Sequence, residues 1–246
     1  MRIDQFGDYR TATYERTLTR DDLAEMADRG VVAVDLLGHD PQMDVQASVD
    51  VLAEAGPPLK AFNALWTKVV PVVPEALLRN LEQLSLSGRA GRRRLQTGAL
   101  PALKSLHASA SLIEGSLSAC PSLEHVWLDS YRASDLAVLD GCKSLRRVRI
   151  NGRRTRLRMG WTEPPAILEE LETDSVFPAG IDGLGQLPAL RRLDLWATQP
   201  PAQPDDLDFA VLQSCPELDY LHCRNVGRVR NAEAIADRAW RSFVHD

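Results

Sequence analysis

The sequence predicts an α/β repeat solenoid: a curved parallel β-sheet along a concave side, short helices or turns on the convex side, and a cap at each end. Two observations carry this. A phrase of the form Leu-x-x-apolar-x-apolar occurs eight times, with Thr173 in the last place of one copy and first leucines at 59, 81, 103, 123, 145, 168, 190 and 218. The steps between them are 22, 22, 20, 22, 23, 22 and 28 residues, a period that one strand and one return segment fill. The cysteines obey the same phase. Cys120, Cys142 and Cys215 each stand three places before the first leucine of a copy. A thiol locked in phase with an apolar pattern is a packing element, because free Cys behaves as a small buried hydrophobe. Cys215 and Cys223, eight residues apart, do not have the compact spacing of a zinc-ligand pair.

The elements follow in chain order. Residues 1–36 read as an N-terminal cap of strand, helix and strand. "TATYERTLT" alternates, Asp21 and Asp22 suit a helix start after Thr19, Gly30 suits its stop, and "VVAVDL" reads as a strand and a further copy through Val31, Val34 and Leu36. Residues 37–228 hold the repeats, with apolar places such as Leu84 and Leu86, Leu106 and Ala108, and Leu193 and Leu195. Return segments such as "DLAVLDGC" and "DFAVLQSC" read as short helical turns, and Gly56-Pro57-Pro58 and Pro164-Pro165 mark corners. Residues 229–246 read as an amphipathic capping helix, with Ile235, Trp240, Phe243 and Val244 towards one face. Over residues 57–228 the chain resembles the leucine-rich repeat family, and its Cys-bearing copies resemble the ribonuclease-inhibitor-like subtypes. One feature departs from that pattern. The family's turn Asn or Cys is replaced by Arg89, Ser111, Tyr131, Arg153, Val176, Thr198 and Val226.

Composition narrows the class. Apolar residues make up 44% of the 246-residue chain, enough for a core, and no run approaches the length of a membrane helix. "MRIDQFGDYR" lacks the apolar stretch of a signal peptide, and the thiols form no compact disulfide framework, so the expected location is cytoplasmic. Arginine outnumbers lysine 25 to 4, which reads as coding bias of a GC-rich, bacterial genome. Charge is segregated. Residues 1–58 carry 5 basic and 12 acidic groups, residues 87–158 carry 14 and 5, and residues 162–246 carry 7 and 15.

Strand alternation assigns the third, fifth and seventh place of each copy to the concave face. These columns are small and neutral in the early copies. Later they hold His125, Trp127, Arg147, Arg149, Glu170, Glu172, Arg192, Asp194, Trp196, Tyr220 and His222. Trp, Tyr and Arg are the types enriched at binding hot spots, so these residues are the candidate partner-binding surface. The competing reading is a cross-strand charge ladder that only holds register. A second candidate is a basic rim of Arg92, Arg93, Arg94, Arg153, Arg154, Arg156 and Arg158. It suits an acidic protein patch, or nucleic acid as the alternative, against which stands the net charge of −5. Asn151-Gly152 suits a local hairpin within that segment. His107 and His125 fall on the concave columns without an acid in phase, which is weak support for catalysis. No phosphate loop, G-x-S-x-G or H-E-x-x-H motif occurs. The resemblance implies a non-enzymatic interaction scaffold with no cofactor, binding a protein as an immunity or inhibitor protein or as an adaptor.

Overall fold

Burying one side of every strand is the problem this chain solves, and it solves it twice. A computed structural model describes residues 1–6 and 9–245, and the chain divides into two compact units, Met1–Glu114 and Gly115–Asp246. Each is a leucine-rich repeat stack: a largely parallel sheet, one short strand per repeat, backed by helices or turns.

The first unit opens with an antiparallel pair, β1 (Arg2–Phe6) and β2 (Tyr9–Tyr14). Helix α1 (Arg20–Asp28) then leads to β3 (Ala33–Leu37), which pairs parallel with β2. Helix α2 (Val45–Ala55) returns the chain to β4 (Ala61–Leu65), α3 (Glu75–Leu78) to β5 (Gln83–Leu86), and a 3-10 turn at Thr97–Ala99 to β6 (Ser105–Ser109). Pairing is in register from β3 to β6, so Val34, Phe62, Leu84 and Leu106 form one buried row and Leu36, Ala64, Leu86 and Ala108 the next. "VVAVDL" is thus a true repeat strand, and the early copies are regular. Asp22 fixes the start of α1. It accepts from the amide and hydroxyl of Thr19, each at 2.8 Å, and from Arg16 at 2.6 and 2.9 Å. Helix α2 begins on Asp44, which accepts from the Ala47 amide at 2.9 Å. It ends where Gly56 lets the backbone pass against Leu52, a place where a Cβ would lie 2.4 Å from the Leu52 carbonyl oxygen.

The second unit contains β7 (His125–Tyr131), β8 (Arg147–Arg158), β9 (Glu170–Gly180), β10 (Arg192–Trp196), β11 (Asp206–Asp208), β12 (Tyr220–Arg224), β13 (Arg228–Arg230) and β14 (Ser242–His245). Its main sheet runs β7-β8-β9-β10-β12-β14, and β11 pairs with β13 in a separate two-stranded sheet. Val126, Val148, Leu171, Leu193, Leu221 and Phe243 share one row. The next row holds Leu128, Ile150, Thr173, Leu195 and Cys223. Return segments are 3-10 turns rather than α-helices, as at Leu117–Ala119, Ala137–Leu139 and Phe209–Ser214. The cysteines sit where such a turn meets its strand. Each of Cys120, Cys142 and Cys215 donates its amide to the residue three before it and accepts from the leucine three after it, and Leu187 does the same between Leu184 and Leu190. That corner takes a small or branched apolar side chain, which explains the phase.

Two expectations need correction. Residues 229–246 are not a capping helix. They form β13, a 3-10 turn at Ala232–Ile235 and β14, and Asp246 lies outside the described residues. The reason is registration: Phe243 continues the row of Leu221, while Arg238 donates to the carbonyls of Leu212, Gln213 and Cys215. Asn151-Gly152 is not a hairpin. β8 runs straight through it, paired with β9, with a register shift between Asn151 and Thr155. The 28-residue step contains the insertion that adds β11. The family's turn position is filled by packing: Tyr131, Val176 and Val226 are buried there, and the Tyr131 hydroxyl donates to the Asp135 carbonyl.

Two outcomes follow for stability. Leu193→Ala empties a site that is fully buried and should cost about 2–5 kcal/mol, whereas Trp127→Ala on the open face should cost under about 1 kcal/mol, both read by urea denaturation. Burial alone would raise the Asp22 carboxyl, but the Arg16 and Thr19 hydrogen bonds outweigh it and hold it at about 2. A depressed carboxyl stabilises the fold above its unfolded value and loses that contribution as pH falls through its folded one. Asp22→Asn should therefore destabilise by about 1–2 kcal/mol at neutral pH, and the gap to the wild type should close between about pH 4 and pH 2.

Candidate functional site

Because the second unit's strands are in register, alternation sends every other side chain to one face of its sheet. His125, Arg147, Glu170, Arg192 and Tyr220 lie side by side in one column, and Ser242 of β14 extends it. Trp127, Arg149, Glu172, Asp194, His222 and Val244 form the second. Asn151, Asp174, Trp196 and Arg224 form the third. All eleven candidate partner-binding residues thus lie in adjacent places. Ser242 and Val244 were missed, since their segment reads as a helix when its apolar spacing is taken alone.

The side chains are tied to one another. The Arg149 guanidinium lies 4.4 Å above the Trp127 ring, and the indole donates to Asp129 at 3.1 Å. Arg147 pairs with Glu170 at 3.3 Å. Arg192 is the hub. It meets Glu172 at 3.0 Å and Asp194 at 3.1 Å, and its guanidinium lies 4.1 Å over the Tyr220 ring. His222 Nδ1 lies 3.1 Å from the other oxygen of Asp194. Arg241, from the segment before β14, covers the same Tyr220 ring at 5.6 Å. Half-exposed pairs of this kind contribute only about 0–1 kcal/mol each, so they orient side chains more than they stabilise the fold. Trp127 remains 36% exposed, a large aromatic surface left facing water.

The arginine segments behave differently. In the first unit Arg92, Arg93 and Arg94 occupy the loop after β5, where Arg94 donates to the Arg93 carbonyl and lies 4.0 Å from Glu114. In the second unit Arg153 is exposed, Arg154 donates to Gln199 at 2.9 Å, Arg156 grips both oxygens of Asp205 at 2.6 Å, and Arg158 lies 3.5 Å from Asp182. Three of these four arginines thus serve the unit's own loops. Arg154 adopts a left-handed backbone, φ +59°, within the register shift.

The chemistry of the remaining candidates is quiet. His107 belongs to the first unit and His125 to the second. Among the described residues no group of three His, Cys, Asp or Glu is placed to hold a metal ion. All four cysteines are free thiols and buried. Burial raises Cys120 and Cys215 to about 11 and Cys142 to about 12. They stay protonated at neutral pH, and the thiolate is the reactive form. Native protein should therefore react negligibly with a thiol reagent such as DTNB at pH 8, and all four thiols should react in denaturant. Rapid native labelling would contradict the buried corner positions.

No family model matches the sequence, and no curated protein is similar to it. Among solved structures, the chain is similar to internalin C2 of Listeria monocytogenes, with 16% identity and a TM-score of 0.46 over 89% of this chain and 80% of that one. It is also similar to an internalin (inlF) of the same organism, with 11% identity and a TM-score of 0.36 over 93% of this chain and 90% of that one. The likeness is one of fold and does not extend to the cysteine-bearing subtype. The expected cytoplasmic location is corrected: the internalins are secreted or cell-wall proteins. Among the described residues no helix is long and apolar enough to cross a membrane.

Proposed function

We propose that this chain is a non-enzymatic protein-binding module that engages a partner protein through the open face of the second unit's sheet. The observation that carries the reading is Trp127, held 36% exposed beneath the Arg149 guanidinium on a face whose other aromatic groups are Trp196 and Tyr220. A register ladder needs charges but no exposed indole. Rigid aromatic groups backed by fixed arginines lose little freedom on binding, which favours them as anchors.

The acids and arginines of this face have a second use in this reading. Glu170, Glu172 and Asp194 are already matched to Arg147, Arg192 and His222, so a partner must offer groups that fit the existing pattern. Such a pattern rejects wrong partners more than it adds affinity. Whether the module masks a target as an inhibitor or joins proteins as an adaptor depends on the partner.

The test is capture of binding proteins from nuclease-treated lysate, quantified by mass spectrometry. Wild type is compared with a Trp127→Ala, Trp196→Ala, Tyr220→Ala variant whose circular dichroism is unchanged. We expect a partner whose affinity falls at least ~10-fold in the variant, the effect of losing ~1.4 kcal/mol or more at an aromatic anchor. Equal capture by both proteins would remove the face from the interaction.

A further inference from the structure

A second surface, in the first unit, draws attention through its backbone. Seven places after the first leucine, the backbone has positive φ in five of the eight copies, and in four of these the residue is small or polar: Gly88, Ser130, Ser175 and Asn225. In the repeat of β4 it is Trp66, at φ +54°. A bulky side chain in this region is an outlier that costs conformational energy. Burial does not compensate, because Trp66 is 58% exposed, the most exposed large apolar side chain among the described residues. One ring face stacks on His39, with centroids 4.3 Å apart and planes 21° from parallel. The other side of the turn is pinned by Ser87, whose hydroxyl accepts from the Trp66 amide and whose carbonyl accepts from the Thr67 hydroxyl.

The loop that follows continues the theme. Val69 is 49% exposed and Val72 is 54% exposed, so three large apolar side chains face water within seven residues. The loop is anchored by buried Val70, while Val69 and Val72 stay outside. Val72 exchanges two hydrogen bonds with the Gln46 side chain, and Val69 bridges to Arg89. That bridge joins the apolar loop to the segment of Arg89, Arg92, Arg93 and Arg94, and Lys68 lies within the loop itself. Among the described residues, Lys68, Arg89, Arg92 and Arg93 make no ion pair.

We infer that the Trp66 loop is a docking site for an acidic protein segment that carries aliphatic or aromatic side chains. Charge complementarity selects the sign of the partner: the cations beside the loop make no ion pair, unlike Arg156 and Arg158 of the second unit. The apolar side chains select its class. Exposed Val69 and Val72 offer nothing for a nucleobase to stack on, and His39 already covers one face of the only indole there, whereas a single-stranded nucleic acid needs successive open rings. A strained, exposed, pre-positioned Trp is suited to insert between the side chains of a peptide.

The experiment uses fluorescein-labelled short peptides and the full chain, read by anisotropy. The probes are an Asp/Glu-rich peptide containing Leu and Phe, the same peptide with Ser at the apolar places, a Lys-rich peptide with the same apolar places, and an oligothymidylate. The first peptide should bind with a Kd of about 10–100 µM, at least ~10-fold tighter than the Ser and Lys-rich controls. Trp66→Asn should weaken it at least ~10-fold, and Arg89→Ser with Arg92→Ser should weaken it and flatten its salt dependence. Asn tolerates the left-handed backbone, so Trp66→Asn should keep or raise the melting temperature. A marked fall would make Trp66 a packing residue and overturn the inference. So would equal binding of all peptides, binding unchanged by Trp66→Asn, or tighter binding of the oligothymidylate that Trp66→Asn abolishes.

Discussion

A strand buried on one side has no freedom of register: a slip of one residue turns every leucine to water and every arginine to the core. That constraint organises both units. In the second it aligns Val126, Val148, Leu171, Leu193, Leu221 and Phe243 in a single row. Each row buries what its neighbour offers, so no strand is stable alone and the stack is stable together. The 3-10 corners keep the spacing, and the cysteines fit those corners because the space there is apolar and small.

The binding face is a by-product of the same constraint. Once the leucines point inward, Trp127, Arg149, Glu172, Asp194 and His222 must point outward in adjacent places. Their contacts then sort them. Arg192 joins two acids and a tyrosine ring, Arg149 covers Trp127, and the aromatic surface remains available. The arginines of residues 153–158 look alike in sequence and differ in use. Most of them close loops through Gln199, Asp205 and Asp182. Charge density along a chain therefore says little about free charge on a surface.

What was legible in the sequence is what period and alternation encode. The eight phased leucines fixed the strands, the rows and the three face columns, because each repeat is a local unit that reuses one frame. Features that depend on contacts between distant segments were not legible. Residues 240–244 have apolar spacing that suits a helix, and only the unpaired side of β12 turns them into a strand. The exposed Trp66 was hidden too. Its signal was a Trp in the place held in four other copies by Gly88, Ser130, Ser175 and Asn225, visible only once that place is known to take positive φ in those copies. The long β8 and β9 were read as ordinary repeats, since the extra pairing of Thr155 with Val176 lies beyond the phased phrase.

The most direct test of this account is hydroxyl-radical footprinting of the native chain, read residue by residue by mass spectrometry. Alternation predicts fast oxidation of Trp66 and Trp127 and strong protection of Tyr14, Met26, Tyr131 and Met159, each at most 2% exposed. Fast oxidation of Tyr131 and Met159 together with protection of Trp127 would mean that the strands of the second unit present the opposite face, and the account would fail at its foundation.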